Sequence, residues 1–231
     1  MRFSTFAAAA AVTLALAPAA HATGFGANLI ANGNAETGNT AGWNTTSAFT
    51  VVQYGASGGF PFPADPGPSD RGTYFFAGGE SNAKSTASQT IDLSALSTAI
   101  NTGTSRYDLS AWLGGYASQN DNATLTATFF GNGGAVLSSA SLGPVSNSER
   151  GNQTGLLLRD TQGYIPVGAL NVGITLTMTR EAGSYNDGYA DNLSFAVATA
   201  PVPEADTYAM LLGGLALLGV VAKRKQRKVQ A

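Results

Sequence analysis

Cysteine is absent from the 231 residues, and histidine occurs once, at His21. Without cysteine the fold is held by its core and not by disulfides. Since His21 lies in a short apolar N-terminal segment, the body of the chain has neither imidazole nor thiol. That excludes Ser-His-Asp and Cys-His nucleophilic catalysis and histidine-ligated zinc. Charge is also scarce, at 11% of residues. Between positions 23 and 203 the basic residues are Arg71, Lys84, Arg106, Arg150, Arg159 and Arg180, against twelve acidic ones, a net charge of −6. The whole-chain value of −2 hides this balance, because the other half of the Lys and Arg stands at the two ends. A body this acidic lacks the electrostatic footprint of a nucleic-acid-binding domain, and no nucleic-acid partner is expected.

What is present is clearest at the ends. Arg2 gives a positive start, residues 6–16 form an apolar run, and Ala20-His21-Ala22 is a small-residue cleavage site. This is the pattern of a secretory signal peptide handled by the Sec machinery and cut between Ala22 and Thr23. The far end reads Val202-Pro203-Glu204-Ala205, then fifteen uncharged residues over 208–222, then five Lys or Arg within 223–228. As a helix the uncharged run would be about 22 Å long against a hydrocarbon core of about 30 Å. It is marginal as a permanent span, and the basic cluster would hold its end on the cytoplasmic side. The expected division is therefore 1–22 signal peptide, 23–200 one domain, and 201–231 C-terminal signal.

The order of a Pro-Glu box, a short apolar helix and a basic end resembles the PEP-CTERM sorting signal of Gram-negative bacteria. Ala205 stands here where the second proline of the box is usual. The resemblance makes Val202, Pro203 and Glu204 the sorting motif and implies an exosortase, a membrane processing enzyme, as partner. It places the mature protein in the cell envelope, at the outer surface or in the extracellular matrix, with transient or permanent membrane insertion through its C-terminal helix. A plain single-span anchor is the alternative reading.

Between the ends the chain reads as strands and turns. Residues 49–54, 72–77, 106–114, 124–130, 136–142 and 172–179 are β-branched, aromatic or alternating. Gly131-Asn132-Gly133-Gly134 predicts a hairpin between two of them, and 95–101 predicts one or two helical turns ended by Gly103. Residues 156–158 and 164–167 read as two strands around a turn at 160–163. The stretch 55–70, rich in glycine and proline, is too long to be an idle connection. With no long amphipathic helix, the expected fold is an all-β antiparallel β-sandwich.

Asn28-Leu29-Ile30-Ala31 is expected as a short strand, and it runs into Asn32-Gly33, Glu36 and Gly42-Trp43. This opening resembles that of galactose-binding-like jelly rolls, the fold of many carbohydrate-binding modules, with Ala35 where an aromatic is usual. Asp187-Gly188-Tyr189-Ala190-Asp191-Asn192-Leu193 resembles their closing strand. The resemblance implies a jelly roll in which Glu36 and Asp191 hold a structural calcium; a turn cap at Glu36 and backbone amides at Asp191 are the alternative. For sugar binding the candidates are Trp112, Tyr116, Tyr185 and Tyr189, since a pyranose packs its C–H face on a ring while its hydroxyls pair with nearby polar groups. These aromatics stand among Gln119, Asn120, Asp121, Asn122, Asn186 and Asp187, with a place in the core as the competing reading for Trp112 and a stronger one for Trp43. Paired carboxylates are the remaining route to an enzyme, and no motif singles out two of them. The reading is an exported, non-catalytic envelope or matrix protein associated with exopolysaccharide, with a ligand-free structural component as the alternative.

Overall fold

Alternating apolar and polar residues can bury one side of a strand only against a second sheet. The computed structural model describes residues 25–199, and they form that arrangement. The signal-peptide cleavage at Ala22 and Thr23, the sorting motif at Val202, Pro203 and Glu204, and the helices expected for the signal peptide and the C-terminal apolar run lie outside the described residues. Among those described, no helix is long and apolar enough to cross a membrane.

Ten strands follow in chain order: β1 (Asn44–Thr46), β2 (Thr50–Gln53), β3 (Tyr74–Glu80), β4 (Lys84–Asp92), β5 (Arg106–Gly115), β6 (Asn122–Phe130), β7 (Val136–Leu142), β8 (Gly155–Tyr164), β9 (Asn171–Thr179) and β10 (Tyr185–Ala198). One sheet has the order β1-β4-β9-β6-β7 and the other β2-β3-β10-β5-β8, antiparallel throughout, in an all-β sandwich of jelly-roll type. One 3₁₀ turn (Ser94–Leu96) and helix α1 (Ser97–Ile100) link β4 to β5, and Gly103 follows with φ +75°.

The inner faces meet in the main core. Val172, Ile174, Leu176 and Met178 of β9 and Leu109, Ala111 and Leu113 of β5 are all fully buried there. Trp43 packs edge-on against Phe76 at 5.8 Å, so it is a core residue. The outer face of the first sheet is a field of hydroxyls. Thr86, Thr177 and Thr124 stand in register across three strands, as do Ser88, Thr175, Thr126 and Ser141 across four.

The outer face of the second sheet carries a second apolar cluster of Tyr54, Phe75, Ala77, Leu156 and Tyr189. The glycine- and proline-rich stretch folds down over it. Arg71 ties the stretch together, donating to the carbonyls of Pro68, Phe62 and Asp65 at 2.8–3.0 Å while its guanidinium sits 5.2 Å above the Tyr54 ring. Pro66 accepts from the Leu156 N–H at 2.9 Å, and Phe60 stands 5.2 Å from Tyr185 and 6.1 Å from Phe75 and Tyr189. Half of the outer face is therefore roofed and half is open.

Three local expectations are corrected. Residues 155–164 form one strand without a turn at 160–163, because β8 is an edge strand and its Asp160 and Gln162 are its solvent-facing alternates. Residues 28–31 do not form a strand. Gly26 and Leu29 each donate one backbone bond to β10, and the Asn28 side chain bridges the Leu193 carbonyl and the Phe195 N–H. Finally, β10 begins at Tyr185, so the cluster of Tyr185, Asn186, Asp187 and Tyr189 lies in a strand and not in a loop.

Candidate functional site

The open half of the second sheet's outer face owes its shape to one irregularity. On β5, Trp112 and Ser110 are two residues apart, but their partners on β10, Asp191 and Ser194, are three apart. The extra residue makes a β-bulge, and Asn192 occupies it at φ +47°, a left-handed conformation that asparagine tolerates better than most side chains. The bulge turns the Asn192 amide outward, where its Nδ2 donates to Asp70 Oδ1 at 3.0 Å.

Asp70 and Asn192 then form one side of an open concavity of ≈ 500 Å³, with Trp112, Ser110 and Ser194 of the sheet and Asn32 of the N-terminal segment among its lining. Trp112 is half-buried at the border between the roofed and open halves, with Leu158 of β8 in register beside it and 48% exposed. A partly exposed indole beside an exposed aliphatic side chain gives an apolar platform, and carboxylate, amide and hydroxyl groups surround it.

The other three aromatic candidates are not brought to this platform. Tyr189 is fully buried, and its hydroxyl donates to Asp187 Oδ1 at 2.6 Å. It lies under the roof and has no face to offer a ligand, which corrects its assignment as a sugar contact. Tyr116 packs its ring over Gly59. Tyr185 lines a separate concavity of ≈ 400 Å³ with Phe60, Thr50 and Glu80, and its phenol is pushed up to about 12 by burial and by the neighbouring Asp187 and Glu80 carboxylates.

Beside Trp112, on the same face of the sheet, lies a buried polar pair. Asp191 is fully buried; its Oδ2 accepts from the Tyr54 hydroxyl at 2.8 Å and its Oδ1 from the Asn192 N–H at 2.7 Å. Burial raises its carboxyl from 3.8 to about 7; the two hydrogen bonds oppose the shift, and repulsion from Glu36 and Asp70 adds to it. Burial likewise raises the Tyr54 phenol, with Asp191 adding to the shift. Glu36 sits at the end of β3, where its Oε1 accepts from the Thr73 and Tyr74 N–H groups at 2.8 Å each. Gly72 makes room for it, since a Cβ there would come within 2.4 Å of the carboxylate carbon. Glu36 is close enough for its charge to disfavour ionisation of Asp191. Among the described residues no group of three or more Asp, Glu, His or Cys is arranged around a common metal position.

At the other end of the sandwich, two buried charges fix the loops. Asp121 accepts from the N–H groups of Glu181, Ala182 and Asp187, while Arg150 donates to the carbonyls of Ala117, Gln119 and Gln153. Burial lowers the Arg150 pKa, against the opposing pull of Tyr189 and Asp121. These residues build the scaffold and do not face the platform.

Sequence alone located Trp112 and placed it opposite Leu109, Ala111 and Leu113. It missed Asp70, Asn192, Ser110, Ser194 and Leu158. Ser110 follows from the period-two pattern that exposes Trp112, but the bulge that delivers Asn192 to Asp70 leaves no mark in the local sequence.

Comparison with known proteins separates the tail from the domain. The PEP-CTERM protein-sorting motif matches residues 201–227, and a motif of this kind marks an exported, envelope-sorted protein processed by an exosortase. No curated protein matches the chain. The described domain is similar to a solved structure, TmCBM61 in complex with β-1,4-galactotriose, at 19% identity and a TM-score of 0.44 over 74% of this chain and 98% of that one. It is similar also to a family 16 carbohydrate binding module, at 18% identity and 0.48 over 73% and 99%. A third similar structure is an enzyme, a cyclase from Fischerella sp. TAU, at 12% identity and 0.41 over 70% and 87%. At these identities the likeness extends to the fold alone.

Proposed function

We propose that this exported protein binds a polysaccharide strand, without cleaving it, on the open half of the second sheet's outer face. The observation that carries the reading is the concavity in which partly buried Trp112 stands beside Leu158, Asp70, Asn192, Ser110 and Ser194. An apolar platform takes the C–H face of a pyranose, and the amide, carboxylate and serine hydroxyls take its hydroxyl groups. The openness of the site suits a chain lying across it more than a single sugar enclosed in a pocket.

The absence of catalysis belongs to the same proposal. Asp191 is the carboxyl whose proton affinity best suits a general acid at neutral pH. It is the cross-strand partner of Trp112 but is fully buried against Tyr54, with both oxygens engaged and no surface open to a ligand. Association with exopolysaccharide at the envelope, and entry of the 208–222 segment into the membrane, complete the reading; the sorting motif supports both. A structural calcium between Glu36 and Asp191 is also part of it. Hard oxygen donors and the mutual repulsion of neighbouring carboxylates favour a cation there, and it would hold the start of β3 to β10 without doing chemistry.

The test is affinity electrophoresis of the native protein through gels containing galactans, xylans, glucans and acidic exopolysaccharides. At least one polymer should retard it, and Trp112→Ala should abolish the retardation while leaving the melting temperature within a few degrees. No retardation by any polymer, or undiminished retardation of Trp112→Ala, would refute the assignment of the platform.

A further inference from the structure

The two ends of the sandwich differ in charge. Asp121, Glu149, Arg150, Arg180 and Glu181 mark the end holding the Asp121 and Arg150 loops. The opposite end is built by residues 93–105, 131–135 and 165–170, and none of these three segments contains a charged residue. They meet one another: the Gly168 N–H donates to Asn101 Oδ1, the Leu170 N–H donates to the Phe130 carbonyl, and Gly131 lies against Leu137 and Gly168.

This uncharged end is capped by apolar side chains facing water. Val136 is 66% exposed, Val167 60%, Leu137 40% and Leu170 36%. Isolated exposed aliphatics are ordinary, but several together, with charge only at the flanking Asp92 and Arg106, mark a contact surface. Tyr164, 67% exposed, stands at the rim, where an amphipathic ring suits the boundary between lipid and water.

The chain itself indicates what covers this surface. β10 ends here, with Ala198 paired to Arg106 and Arg106 to Tyr164. Nine residues, 199–207, separate that point from the uncharged run at 208–222. Fully extended they reach about 33 Å, so the domain is held within about its own length of wherever that run resides. A short apolar run is a weak anchor by itself, and a second apolar contact on the same tether adds to it by raising the effective concentration.

We infer that this end of the sandwich docks on the lipid interface, with Val136, Leu137, Val167 and Leu170 entering it and the exposed Asp92 and Arg106, which flank residues 93–105, at the level of the headgroups. The inference rests on the reading that residues 208–222 insert in the membrane. Docked in this way, β5 and β10 run away from the bilayer, and the Trp112 platform faces sideways along it.

The lack of cysteine makes the test direct. Single-cysteine variants Val167→Cys, Ser148→Cys at the opposite end, and Leu215→Cys in the apolar run are labelled with a fluorophore. Each full-length protein is reconstituted into phosphatidylcholine–phosphatidylglycerol vesicles carrying a lipid-borne quencher. The expected result is strong quenching at positions 215 and 167 and several-fold weaker quenching at 148. Quenching at 215 with equal values at 167 and 148 would overturn the docking and leave the anchor standing. No quenching at 215 would remove the anchor and the docking with it. Self-quenching of the Val167→Cys label without lipid quenching would assign the surface to a second copy of this chain and overturn the proposal.

Discussion

Replacing Asp191 by asparagine should change how stability depends on pH more than it changes stability itself. In the folded chain the Asp191 carboxyl binds its proton with a pKa raised from 3.8 to about 7. Between those values the native state holds a proton that the unfolded chain has released, so native stability falls as pH rises through this window. At about 1.4 kcal/mol per tenfold in proton affinity, the full effect has an upper limit of about 4 kcal/mol. Asparagine has the shape of the protonated acid. Its oxygen can accept from the Asn192 N–H, and its amide can donate to a Tyr54 hydroxyl that turns to accept. Urea denaturation should be followed at intervals from pH 4.5 to 7.5, with chelator present so that no cation holds the carboxylate ionised. The wild type should lose stability steadily across that range. Asp191→Asn should lose markedly less and become the more stable protein at pH 7.5. A residual slope of the same sign is expected from Asp187, whose carboxyl is also raised, chiefly by burial. Parallel slopes for the two proteins would show that Asp191 is not a buried acid holding its proton, and the description of the Tyr54 pair would be wrong.

The remaining predictions follow from the loops and the calcium proposal. Arg150→Met should cost about 2–3 kcal/mol, because the three loop carbonyls at Ala117, Gln119 and Gln153 lose their donor; chemical denaturation measures it, and a change under about 0.5 kcal/mol would contradict the clamp. Phe60→Ala should remove the wedge between Tyr185 and Tyr189 at a cost of about 1–3 kcal/mol. Limited proteolysis should then cut within residues 55–71 faster than in the wild type. Excess calcium should raise the melting temperature of the chelated protein, and Glu36→Gln should abolish the rise; identical melting with and without calcium would remove the Glu36 and Asp191 proposal.

The regular part of the fold was legible because period two is a local property. Val172, Ile174, Leu176 and Met178 alternate with small or hydroxyl residues, and the same alternation puts Trp112 on the strand face opposite Leu113. Legibility failed where the neighbour is distant in sequence. Asp160-Thr161-Gln162-Gly163 has the composition of a turn, yet it is the solvent-edge strand, and its polarity reflects the missing neighbour on that side. Gly188 lies within β10, and it must be glycine there because the Asn122 carbonyl approaches to 2.3 Å of where a Cβ would stand. Tyr189 looked like a surface aromatic beside polar residues, and only the roof formed by residues 55–71 shows why it is buried. The platform has the same limitation: Asp70 and Asn192 are 122 positions apart.

The placement of β10 between β3 and β5 also sets an order of events. A chain that crosses a membrane from its N-terminus delivers every other strand before this one, so the second sheet has an open seam down its middle until residues 185–198 emerge. The tail follows only nine residues later. Nine residues span at most about 33 Å, so β10 is free to fill the seam only once the apolar run is close behind it at the exit of the export channel.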